Sequence, residues 1–178
     1  MQDIVGVGDS VTAGATMSVG VHDAIAAPVM SFEIVCIGAD GREKWRETVR
    51  NTVMTPGKTD IIDKYLKGSS YTAAWYVILK GSGSINAADT LASHAGWTEI
   101  TAYTGNRPAV TWGTTTTGSN TATAVSFAMT GAYTVAGAGC CTVATGTSGV
   151  LYNMSDFGAA RTGDNGDTLN VTPTISAS

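Results

Sequence analysis

The chain has 178 residues, enough for one compact domain or for one domain with an arm. Its charged fraction is 13%, against roughly 25% in ordinary globular proteins. With 43% hydrophobic residues and a net charge of −4, the composition argues against disorder and against unassisted nucleic-acid binding.

Residues 1–31 are small and apolar, with Gly6, Gly8, Gly14 and Gly20 spaced through them and no sustained helical period. They read as an N-terminal arm or short strands, ahead of a β-sandwich domain over residues 32–178. MQDIVGVGDS lacks the positive n-region of a secretory signal. No apolar run reaches the ~18 residues that span a bilayer, so no membrane partner is expected.

Residues 32–54 predict a hairpin around Ala39, Asp40 and Gly41, because Asp-Gly favours a tight turn. The charges on its return strand predict a solvent-facing or edge position, with Arg42, Lys44 and Arg46 on one face. Residues 56–67 predict a short helix capped by Thr59 and ended by Gly68. Ile61, Ile62, Tyr65 and Leu66 form the stripe expected to pack on the core. Residues 71–80 predict a central apolar strand with Trp75 and Tyr76 in the core, followed by a turn at 81–84. Residues 85–96 read as irregular or briefly helical.

From Gly81 onward the only charged residues are Asp89, Glu99, Arg107, Asp156, Arg161, Asp164 and Asp167, in a background of Thr, Ala, Gly, Ser and Val. Strands are predicted at 97–103, 109–112, 121–129, 133–143, 150–152 and 168–176. Turns are predicted at 105–106, 118–120, 145–149 and 162–167. The expected fold is mainly β: a β-sandwich or jelly-roll-like domain with one short helix and an extended N-terminal arm.

Enzyme chemistry finds one candidate string, GDSVTAGA at residues 8–15. It resembles the first block of the GDSL/SGNH hydrolases and would make Ser10 a nucleophile. The family's Gly-x-Asn-Asp and Asp-x-x-His blocks are missing, and neither His22 nor His94 follows an Asp at the required spacing. The chain is therefore expected not to be an enzyme, with a Ser10 esterase as the remote alternative. His94 reads as a hydrogen-bonded structural histidine. TGDNGDT, near residues 162–168, reads as a turn because it lacks the terminal Glu of a calcium loop. Cys36, Cys140 and Cys141 have no ligand spacing and read as small buried strand residues. No metal or cofactor is expected.

The stretch from Trp45 to Arg107, and then SGVLYNMSDFGAARTGDNGDTLNVTPTIS, resembles a group of small structural proteins encoded in tailed-phage and prophage virion gene clusters. The matching residues are 57–58, 60–66, 71–77, 87–99, 107–108 and 166–171. The resemblance implies a virion location, with synthesis in a bacterial host cytoplasm. It also implies a capsid decoration (cement) role, with the major capsid protein and further copies of the chain, as in a homotrimer, for partners. A tail, neck or fibre component is the alternative; there Trp97, Tyr103 and Trp112 would form a glycan-binding tip. The residues expected to face the partner are Ile4, Val5, Val7, Val19, Val21, Ile25 and Val29.

Overall fold

In the computed structural model, the residues described are 28–70 and 75–177. β1 (Val29–Ile37) and β2 (Glu43–Arg50) form the expected hairpin, with Gly41 at φ 79° and the Arg42 N–H donating to Asp40 Oδ1 at 3.0 Å. β1 begins inside the segment expected to be an arm. Met30 is buried, and its N–H donates to Asn51 Oδ1 at 2.7 Å, so residues 29–31 are strand.

The fold is a sandwich of two antiparallel sheets. The first has the order β2-β1-β10, with β10 (Thr168–Ser176) also pairing β6 (Ser119–Thr121) and β7 (Val125–Ala128). The second has the order β3 (Thr52–Val53), β9 (Leu151–Gly163), β8 (Tyr133–Cys141), β4 (Tyr76–Gly83) and β5 (Trp97–Glu99). Phe32, Ile34 and Cys36 of β1 and Leu169 and Val171 of β10 meet Val77 and Leu79 of β4 and Val135 of β8 in the main core. Each such side chain contributes roughly 1.5–3 kcal/mol through burial.

The second sheet is buried on both faces. Val77 and Leu79 enter the main core, while Ile78 joins Met54, Leu91, Trp97, Cys141, Leu151 and Met154 in a second cluster. This is why 76–79 reads as an unbroken apolar run and why β4 lies inside its sheet. Gly57 of helix α1 (Thr55–Ile61) sits so close to the Tyr152 carbonyl that any Cβ there would collide with it.

That contact also corrects the helix prediction. The helix starts at Thr55 with Pro56 in its first turn, and Thr59 lies within it, its hydroxyl donating to the Thr55 carbonyl at 3.1 Å. Gly57 and Ile61, four residues apart, define the docked face. A π-helical turn over Ile62–Leu66 follows, closed by the Lys67 N–H on the Ile62 carbonyl at 2.9 Å. Ile62 is 56% and Tyr65 85% exposed, so the expected core stripe does not form.

Four strand predictions also change. β5 is only Trp97–Glu99, and Ala109 and Trp112 make isolated bridges, to Tyr76 and Ala122. β4 runs through the expected turn to Gly83. β9 extends to Gly163, far beyond the predicted 150–152. Along it the register jumps from Val135↔Arg161 to Gly137↔Asp156. The extra β9 residues bulge outward and turn Phe157 into the core, edge-on to Trp45 with ring centroids 6.2 Å apart.

Candidate functional site

Lys80, Asp89, Arg107 and Asp167, the buried charged residues among those described, are held at joints of the fold. The first joint is a cap on the second cluster. Asp89 Oδ2 accepts from the Asn86 N–H and from Trp97 Nε1, both at 2.9 Å. The His94 ring stacks on Trp97 at 4.0 Å, and its Nδ1 lies 3.1 Å from the Trp97 carbonyl, which can only accept. Leu91, at the centre of this loop, fills the cluster beneath. His94 is thus hydrogen-bonded, as expected.

The second joint is Arg107, 7% exposed. It donates to both Glu99 oxygens at 2.7 Å and to the Val143 and Gly146 carbonyls. The Glu99 bonds raise its pKa despite burial. Nearby, burial first and Glu99 second push the Tyr103 hydroxyl up to about 12. The third joint is Lys80, fully buried, whose ammonium reaches Asp156 Oδ1 at 2.8 Å and the Gly83 carbonyl at 2.5 Å.

The fourth joint lies at one end of the sandwich. Asp167, 1% exposed, accepts from Lys44 Nζ at 2.8 Å, Tyr133 Oη at 3.2 Å and the Asp164 N–H at 3.0 Å. The Cys36 thiol lies 3.3 Å from Tyr133 Oη. Burial alone would raise the Asp167 pKa, but the bonds from Lys44, Asp164 and Tyr133 outweigh it and the net direction is down. The bond to Asp167 raises Lys44. A depressed carboxylate stabilises the fold above its ordinary pKa, and that contribution disappears as pH falls through the folded value. The Lys44 contribution disappears only as pH rises through its raised value. Asp167→Asn should therefore cost about 1–3 kcal/mol at neutral pH. Its deficit against the parent should shrink below about pH 4. Chemical denaturation at a series of pH values measures this, and a deficit independent of pH would refute it.

All three cysteines are free and buried, as expected. Burial raises each thiol, with Cys140 well above its ordinary value, so none is primed as a thiolate nucleophile. Among the described residues, no group of His, Cys, Asp and Glu is placed to hold a metal ion. No helix of the described residues is long and apolar enough to cross a membrane.

The surface with the most uniform character is the outer face of the first sheet. β10 alternates buried Leu169, Val171 and Pro173 with outward Thr168, Asn170, Thr172 and Thr174. Opposite them on β1 stand Ile37, Val35, Glu33 and Ser31. On the other flank the Thr121 hydroxyl lies 3.0 Å from that of Thr174, and Ser126 donates to Asn170 Oδ1 at 2.6 Å. Among the outward residues of β1, β10, β6 and β7, the one charge is Glu33, which Arg46 of β2 pairs at 2.5 Å. These four strands therefore offer hydroxyls, amides and small apolar groups with no free charge, bordered by the charged strand β2. Burying them desolvates only the Glu33–Arg46 pair and leaves polar groups that can re-pair.

Val29, 37% exposed, opens the outward row of β1. Ile4, Val5, Val7, Val19, Val21 and Ile25 lie outside the described residues, as do Ser10 and His22. The aromatics expected at a glycan-binding tip do not form an open platform. Trp97 and Tyr103 are buried in different clusters, and Trp112 packs against the main core. Trp97 is in the core as predicted, while Trp75 packs against the main cluster and Tyr76 against the second, both partly buried. The basic face predicted on β2 is largely neutralised: Lys44 pairs Asp167 and Asp164, and Arg46 pairs Glu33 and Glu43.

The β10 face has a signal in the sequence, the Thr/Asn alternation in TLNVTPTIS, that had no functional assignment above. No protein-family model matches the chain, and no curated protein matches it.

Proposed function

We propose that the chain is a structural protein of a bacteriophage virion, a capsid decoration (cement) protein that docks non-covalently on the assembled head. The outer face of the first sheet is the observation that carries this reading. Across β1, β10, β6 and β7 it is a broad row of hydroxyl, amide and small apolar side chains on a rigid sheet, with Glu33, the one charge on these strands, already paired and the charged strand β2 at its border. Such a surface suits repeated contact with a shell, where affinity comes from close packing multiplied over many copies.

The ordered resemblance over residues 45–178 supports the same assignment. Its motif blocks fall on the joints of the fold: Gly57 under the helix, the Asp89–Trp97 cap, Arg107 and Asp167. They account for a preserved scaffold, and the surface built on that scaffold carries the role. The major capsid protein is the partner, and the chain acts as a small oligomer, a trimer at three-fold positions.

Thr172→Arg places a long cationic side chain, opposite the already paired Glu33, at the centre of the face without touching the core. It should weaken co-sedimentation with purified virions lacking the chain by about 100-fold, with thermal stability unchanged. Wild-type binding by this variant would overturn the docking face.

A further inference from the structure

We infer that the free edge of β2 receives an added strand, supplied by residues 1–27 of a second copy of the chain. Among the described residues, β2 ends the first sheet and pairs only with β1. The Asn51 N–H donates to the Met30 carbonyl, so the ladder turns Val49, Glu47 and Trp45 toward β1. The backbone groups of Arg50, Thr48 and Arg46 point the other way and form an open template.

The charges around this edge are unbalanced. Glu43 is paired with Arg46, Glu47 with Arg161, and Lys44 with Asp167. Arg42 and Arg50 have no acidic partner among the described residues. Behind the edge, where β2 faces β9, Trp45 Nε1 and Arg161 Nε are both shielded from solvent and have no acceptor. An added strand would place every second side chain over this gap. The edge therefore calls for an extended segment that brings acceptors and negative charge.

Residues 1–27 have that chemistry: Asp3, Asp9 and Asp23, no Lys or Arg, and small apolar residues between. In the same copy, this segment leads into β1 at the end where β2 departs toward β3. To pair there it would have to run parallel to β2 and cross that exit. A neighbouring copy meets no such constraint and can pair antiparallel. The outward row Lys44, Arg46 and Arg50 opposes pairing of β2 with another β2, which would set like charges side by side. This contact does not rest on the virion reading.

The test uses the full-length protein carrying Arg50→Lys, prepared in ordinary and 15N-labelled forms and mixed. Zero-length carbodiimide coupling then joins the new amine at position 50 to any carboxylate it touches, read by mass spectrometry. Links from one isotope to Asp3, Asp9 or Asp23 of the other are expected. Links within one isotope only, or no link to these three residues, would overturn the inference. In sedimentation velocity, Arg50→Glu and Thr48→Pro should each weaken self-association at least about tenfold. Thr48→Pro removes an outward N–H and spares the β1 ladder; wild-type association by both variants would equally overturn it.

Discussion

Asp156→Ala should lower the stability of the domain by about 2–4 kcal/mol, although the side chain removed is half exposed. The cost lies in what stays behind. The Lys80 ammonium is fully buried and reaches Asp156 across Gly137, which pairs with both residues in the second sheet. A Cβ at Gly137 would collide with the Ser155 carbonyl and press on the Lys80 side chain, so this strand crossing needs glycine. Without Asp156, the charge keeps only the Gly81 and Gly83 carbonyls. The exposure of Asp156 places the effect below that of a fully buried pair. Adding Lys80→Met to Asp156→Ala removes the stranded charge and should recover at least half of the loss. Equilibrium denaturation of the two variants decides the point; no recovery in the double variant would show that packing, not the unpaired charge, sets the cost.

Trp97→Ala should cost about 3–5 kcal/mol, the range for emptying a buried aromatic site. The indole fills the second cluster, supports His94 and donates to Asp89. Trp97→Phe refills most of the volume but leaves the Asp89 carboxylate without its side-chain donor, and should cost about 1.5–3 kcal/mol. If Trp97 instead served a glycan, both variants would keep near-wild-type stability and lose sugar binding. Thermal and chemical denaturation separate the two cases, because the cap assigned to Trp97 requires a graded loss of stability.

What was legible in the sequence was mostly local. The β1–β2 hairpin follows from Asp40-Gly41 between two strand-forming runs, and β10 from strict alternation. β4 was readable because burial on both faces leaves an unbroken apolar run. β9 was not, because Asn153, Ser155, Asp156, Gly158, Ala159 and Ala160 are poor strand formers. The ladder to β8 imposes the conformation of Asn153, Ser155 and Asp156, and Gly158, Ala159 and Ala160 form the bulge in it. The helix start was misread because its face is set by one contact, Gly57 on the Tyr152 carbonyl, which no periodicity records.

The candidate face was half legible. The outward Thr and Asn of β10 were in plain view, but their flanks come from β1 and from β6 and β7, far away in the chain. Only the folded register shows that these neighbours are also uncharged, apart from the paired Glu33. Likewise, Asp164 and Asp167 looked like simple turn residues. Asp167 is in fact the acceptor that joins β2, β8 and the β9–β10 turn.

The central claim, that this chain coats an assembled phage head, is tested most directly by its copy number in purified virions. Quantitative mass spectrometry against the major capsid protein gives that number. Hundreds of copies per particle are expected, the order for a shell-covering protein that uses many equivalent sites. A count of about three to twelve would assign the chain to the tail or neck and contradict the decoration role, since rings at those places hold few subunits. Absence from the particle would contradict the virion assignment altogether.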